Sequence, residues 1–142
     1  MNRLSIEGTE DSPTIILDAK ANSFIFSGES RPENTAAFYA PVIRWLFEFE
    51  AYLLDRRENE QPIPAIRFIF RFEYFNSTSA KYIMDILKRL QSLHQLKYPL
   101  TIEWQYVAYD EDMLEAGQEW SKLIDAPFEF VAVEDDAPGG RD

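Results

Sequence analysis

Apolar and polar positions along the chain change period several times, and each change marks an element. Thr14 to Asp18 (TIILD) and Ser23 to Ser27 (SFIFS) are short β-rich runs joined by Ala19 to Asn22, a connection of hairpin length. Turn formers fill Gly28 to Thr35, and from Phe38 the apolar positions 38, 42, 45, 46, 49, 52 and 53 follow helical spacing. This predicts a first helix from about Asn34 to Asp55, with Pro41 kinking it or delaying its start, because proline lacks the backbone donor. Arg56 to Pro64 is a polar, proline-bounded loop.

Ile66, Phe68, Phe70, Phe72 and Tyr74 then alternate with Arg67, Ile69, Arg71, Glu73 and Phe75, which is the period of a strand with one apolar face. A second helix is expected from about Ser79 to His94. Ala80, Ile83, Ile86, Leu87, Leu90 and His94 lie on its core side, and Lys81, Asp85, Lys88 and Ser92 on its wet side. Leu100, Ile102, Trp104 and Tyr106 alternate again, Asp110 to Ile124 reads as a helix with an acidic first turn, and Phe128 to Val133 reads as a last strand. Strands three and four are apolar on one face only, unlike the central strands of a sheet covered on both sides. The order ββαβαβαβ therefore predicts an α/β two-layer sandwich, about five mixed strands with three helices packed on one face. A single domain over residues 12–133 is expected, between a flexible N-terminus (1–11) and a disordered acidic tail (134–142) with too little apolar material to order itself.

Composition narrows the chemistry. Cysteine is absent, so disulfides, thiolate nucleophiles and sulfur-based zinc sites are excluded. The one histidine, His94, cannot build a multi-histidine metal site; it reads as a core or C-terminal capping residue of helix two. Asp110 to Asp112 and Glu134 to Asp136 read as a helix start and a solvated tail rather than cation sites, so no metal and no other cofactor is expected. Fourteen Lys and Arg against 25 Asp and Glu leave a net charge of −11, which opposes a phosphate backbone and excludes nucleic acid as a partner. No apolar run approaches the roughly 18 residues of a membrane helix, and MNRLSIEGTEDS lacks a secretory h-region, so a cytoplasmic protein without membrane contact is expected.

The most informative stretch is Glu73 to Lys81 (EYFNSTSAK), where a strand gives way to a helix across Asn76, Ser77, Thr78 and Ser79. Each of these is a good N-cap, and capping alone is one reading. The other is a phosphoacceptor site: a phosphoryl group brings about −1.5 to −2 charges, which free amides at a helix start accommodate.

The motif Tyr74 to Asp85 (YFNSTSAKYIMD), preceded by Gly28 to Asn34 (GESRPEN), resembles the SiaC family of bacterial regulatory phosphoproteins, whose fold is similar to STAS domains. The likeness covers about Gly8 to Phe130. It implies phosphorylation by a dedicated Ser/Thr protein kinase just after the asparagine, removal of the phosphate by a PP2C-like phosphatase, and binding and regulation of a diguanylate cyclase by the unmodified form. Carried over, the acceptor falls on Ser77, with Thr78 and Ser79 as neighbouring alternatives. Such a module is not an enzyme, and any magnesium used belongs to the kinase or phosphatase. The resemblance also favours release of the partner on phosphorylation.

The partner face implied by these readings draws on Asn76, Lys81 and Asp85 of helix two, on Arg31, Glu33 and Asn34 of the preceding loop, and on Ile43 and Phe47 of helix one. Ile43, Phe47 and Leu54 lie off the main apolar stripe of helix one, so they are either exposed or packed beneath a loop. Two alternatives remain: an anti-sigma-factor antagonist, and a small acid/base enzyme using carboxylates such as Glu33 and Glu73, which requires a pocket that pairs them.

Overall fold

The computed structural model describes residues 1–135. Its elements run β1 (Leu4–Ile6), β2 (Thr14–Asp18), β3 (Ser23–Ser30), α1 (Thr35–Glu58), β4 (Ile66–Phe75), α2 (Ser77–Gln95), β5 (Leu100–Val107), α3 (Glu111–Leu123) and β6 (Phe128–Val133). The six strands form one sheet in chain order. The first two pairings are antiparallel and the last three parallel, each parallel step bridged by a helix. All three helices cover one face. Ile66, Phe68, Phe70 and Phe72 of β4 are buried on that side, whereas Arg67 on the open side reaches both Glu103 and Glu129 at 2.8 Å.

Aromatic pairs tie neighbouring strands on the covered face: Phe24 stacks on Phe68 at 4.5 Å, Phe26 on Phe70 at 4.8 Å, and Phe70 on Trp104 at 5.9 Å. Helix α3 approaches Trp104 so closely that a Cβ at Gly117 would lie 2.4 Å from the indole, which explains a glycine inside that helix.

Four expectations need correction. The N-terminus is not loose along its length: Leu4–Ile6 pairs with β2 as a sixth strand, and Trp45 Nε1 donates to the Asn2 carbonyl at 2.8 Å. Pro41 does not delay the start of α1, which begins at Thr35 with Asn34 capping it by accepting from the Ala37 amide at 3.1 Å and carries Pro41 inside. The alternation of β4 fails at its end, where an extra residue at Glu73 shifts the register against Gly28 and Glu29. Tyr74 is thereby left 48% exposed, and Phe75 turns in against Phe72 and Trp120. Finally, Leu93 rather than His94 takes the buried position in the last turn of α2, and His94 is half-buried. Of the expected acidic tail, Glu134 and Asp135 are described, Tyr109 donating to the Asp135 carboxylate; residues 136–142 lie outside the described residues.

Candidate functional site at the start of the second helix

The bulge that ends β4 also sets where α2 begins. The Asn76 amide donates to the Ser30 carbonyl at 3.0 Å, and the Asn76 side chain accepts from the Ser79 amide at 2.8 Å. That makes Asn76 the cap and Ser77, Thr78 and Ser79 the first three helical residues. A helix start two residues earlier than expected separates the three hydroxyls. Ser77 and Thr78 are exposed, whereas Ser79 points inward and is 0% exposed. Ser79 is thus corrected as an acceptor candidate: its Oγ accepts from Ser30 Oγ at 2.9 Å and is closed off from any transferase in the folded chain.

Ser30 Oγ also meets the Tyr39 hydroxyl at 2.5 Å. Burial pushes the Tyr39 phenol up to about 12, an effect the Ser30 hydrogen bond partly offsets, so Tyr39 stays neutral at physiological pH. The Tyr39 ring stacks on Tyr82 at 5.6 Å, nearly parallel.

Two connected concavities surround this start. A hollow of about 780 Å³ is lined by Pro32, Glu33, Asn34, Asn76, Thr78 and Tyr82. Next to it, between α1 and α2, runs an open groove of about 770 Å³, floored by Ala36, Ala40, Ile43, Phe47 and Tyr82 and rimmed by Arg44, Glu48, Asp85, Lys88 and Arg89. Ala36 and Tyr82 belong to both. Along α1 the spacing 36, 40, 43, 47 forms a second apolar stripe, facing away from the sheet. Phe47 is 53% exposed, and the Arg89 guanidinium lies 4.1 Å above its ring while donating to Glu50 at 2.9 Å.

The structure therefore gathers Glu33, Asn34 and Asn76 with Thr78 in the hollow, and Ile43, Phe47 and Asp85 in the groove. Lys81 points elsewhere, toward Met84 and Trp120 on the α3 side. Arg31 turns to the N-terminal segment, its amide donating to the Asp11 carbonyl and its side chain to that of Glu10. Leu54 is exposed outside the groove. Sequence reasoning missed Ala36, Ala40 and Tyr82; Tyr82 stands four residues after Thr78, a spacing that puts both on one helix face.

Glu33 lines the hollow, and Glu73 is not among the residues that line it. Among the described residues there is no group of three His, Asp or Glu placed to hold a metal ion, and no helix is long and apolar enough to cross a membrane.

Comparison with known proteins places this arrangement in context. Residues 6–133 match the family model described as SiaC family regulatory phosphoprotein. An uncharacterized protein of Pseudomonas aeruginosa strain UCBPP-PA14 is 32% identical over 132 residues, which is 93% of this chain and 98% of that one. The crystal structure of apo-SiaC from Pseudomonas aeruginosa superposes with a TM-score of 0.76 at 30% identity, covering 93% of this chain and all of the other. SiaC from the same organism, crystallised with the diguanylate cyclase SiaD that it activates, superposes with a TM-score of 0.79 at 30% identity over 92% of this chain and 99% of SiaC.

Proposed function

Since the chain belongs to the SiaC family of regulatory phosphoproteins, we propose that it is a non-enzymatic cytoplasmic signalling module whose unmodified form binds and activates a diguanylate cyclase. Phosphorylation of Ser77 by a Ser/Thr kinase ends that binding, and a PP2C-like phosphatase restores it. The observation that carries this reading is the exposed Ser77–Thr78 pair on a capped helix start, where Thr78 lines a hollow that shares Ala36 and Tyr82 with an apolar groove left open by the described residues.

The switch is electrostatic and local. The first turns of α1 and α2 hold no acidic residue, so the fold tolerates a phosphate at Ser77. A partner pressed onto this face does not. It would have to desolvate about two negative charges at the edge of an apolar contact, or meet them with acidic groups of its own. The likeness to SiaC bound to the cyclase it activates supports the choice of partner.

The test is to incubate the purified chain with its kinase and ATP, map the phosphate by mass spectrometry, and titrate a cognate diguanylate cyclase with the parent, Ser77→Ala and Ser77→Asp. Phosphate should map to Ser77, Ser77→Ala should bind like the parent, and Ser77→Asp should bind at least about tenfold more weakly, the equivalent of about 1.4 kcal/mol. No phosphate at position 77 or 78, together with equal binding by all three proteins, overturns the reading.

A further inference from the structure

Three buried hydroxyls sit where β3, α1 and α2 meet, and nothing in capping or core packing requires them. Ser30, Tyr39 and Ser79 are each 0% exposed. Tyr39 OH, Ser30 Oγ and Ser79 Oγ are linked in series at 2.5 Å and 2.9 Å. No buried side-chain polar atom among the described residues lacks a partner, so the chain of hydroxyls is satisfied as it stands. Ser30 Oγ thus sits between the other two hydroxyls and joins them into one relay.

The placement gives the relay a function. Ser79 is the third residue of α2, one position beyond Thr78 and two beyond Ser77. The same Ser30 accepts the Asn76 amide through its carbonyl, so one residue at the end of β3 holds the cap with its backbone and the first turn with its side chain. At the far end of the relay, Tyr39 stacks on Tyr82, the residue shared by the hollow and the groove. The turn that carries the exposed hydroxyls and the wall of the docking groove are therefore fastened to one another through buried side chains.

We infer that Ser30, Tyr39 and Ser79 form a buried hydroxyl clamp that positions the first turn of α2 against α1, so that Ser77, Thr78 and the Tyr82 wall are presented to partners in one fixed arrangement. They are positioning residues: none of them touches a partner or accepts a phosphate. The assignment deepens the proposed function and rests on it for the identity of the partner, but the clamp itself belongs to the free chain. Its removal loosens one turn rather than the fold, because the core beneath α2 consists of Ile83, Ile86, Leu87, Leu90 and Leu93, all beyond that turn.

Ser30→Ala deletes both links at little change in volume, and Tyr39→Phe deletes one while keeping the ring stack. Amide hydrogen exchange on the free chain should accelerate by about tenfold at Ser79 and Ala80 in Ser30→Ala, the factor that one ordinary buried hydrogen bond supplies. A smaller acceleration is expected in Tyr39→Phe, and the amides of Leu90 and Phe70 should keep their parent rates in both. The double variant should match Ser30→Ala, because the two changes break the same relay. Both single variants should also weaken cyclase binding while leaving Ser77 available to the kinase. Unchanged exchange at Ser79 and Ala80, acceleration spread equally over Leu90 and Phe70, or phosphate found on Ser79 in the folded chain would each overturn the clamp. The exchange measurement needs no partner, so a failure there is separable from a failure of the proposed function, which shows as a parent chain that binds no cyclase.

Discussion

Tyr39 gives the folded chain a pH dependence that can be derived from its surroundings. An unfolded tyrosine titrates near 10, whereas burial holds the Tyr39 phenol up to about 12 in the native state. Below pH 10 both states keep the proton, and the full contribution of the neutral, hydrogen-bonded phenol is present. As the pH rises from 10 to 12 the unfolded chain loses its proton first, so stability drains away across that window, by about 2 to 3 kcal/mol in all. Urea unfolding of the parent at pH 9 and pH 12 should show a drop in midpoint, and Tyr39→Phe should show a distinctly smaller drop because it has no proton to lose there. Equal drops in the two proteins would mean that the native phenol is not held neutral. The same neutrality keeps the hydroxyl of Tyr39 paired with that of Ser30 at every physiological pH.

Helix α1 carries two apolar stripes, and only one of them is needed for folding. Tyr39, Val42, Trp45, Leu46, Phe49 and Leu53 face the sheet and are buried, while Ala36, Ala40, Ile43 and Phe47 line the groove toward α2. Phe47→Ser should therefore change stability by less than about 1 kcal/mol, since the ring is already half in water and loses mainly its contact with Arg89. It should weaken cyclase binding by about 2 kcal/mol or more, roughly 30-fold, as an aromatic anchor in a docking groove does. Calorimetric titration alongside urea unfolding separates the two effects, and a loss of stability without a loss of affinity would remove the groove from the interface. The second stripe was half legible in the sequence: Ile43 and Phe47 stood out as large apolar residues off the main face, but Ala36 and Ala40 are too small to signal anything. At α2, four adjacent cap-forming residues gave no local reason to choose between them. The choice of Asn76 is made by Ser30, 46 positions earlier, whose carbonyl takes the Asn76 amide. That long-range bond leaves Ser77 and Thr78 exposed and turns Ser79 inward, a division that the four residues themselves do not signal.

The layered architecture follows from strand alternation that any reader of the sequence can see, because Ile66 to Phe72 and Leu100 to Trp104 bury every second side chain. The edge of the sheet was hidden for the opposite reason: β1 has three residues, of which only Leu4 and Ile6 are apolar, too few to show a period. Its role is set by what lies beside it. Leu4 pairs with Leu17 and Ile6 with Ile15, both partners fully buried, while the Asn2 carbonyl accepts the indole N–H of Trp45 from across the layer. Deleting residues 1–7 should then cost about 2 kcal/mol, from two half-buried aliphatic side chains and one indole hydrogen bond. It should also bare the backbone of β2 as a new sheet edge, which invites pairing between chains. Two measurements are expected to move together in the truncated protein: a lower urea midpoint with red-shifted tryptophan emission, and concentration-dependent association in sedimentation. An unchanged midpoint in a monomeric truncated chain would show that β1 rests on the sheet without contributing to it, and that β2 is protected as an edge by its own residues.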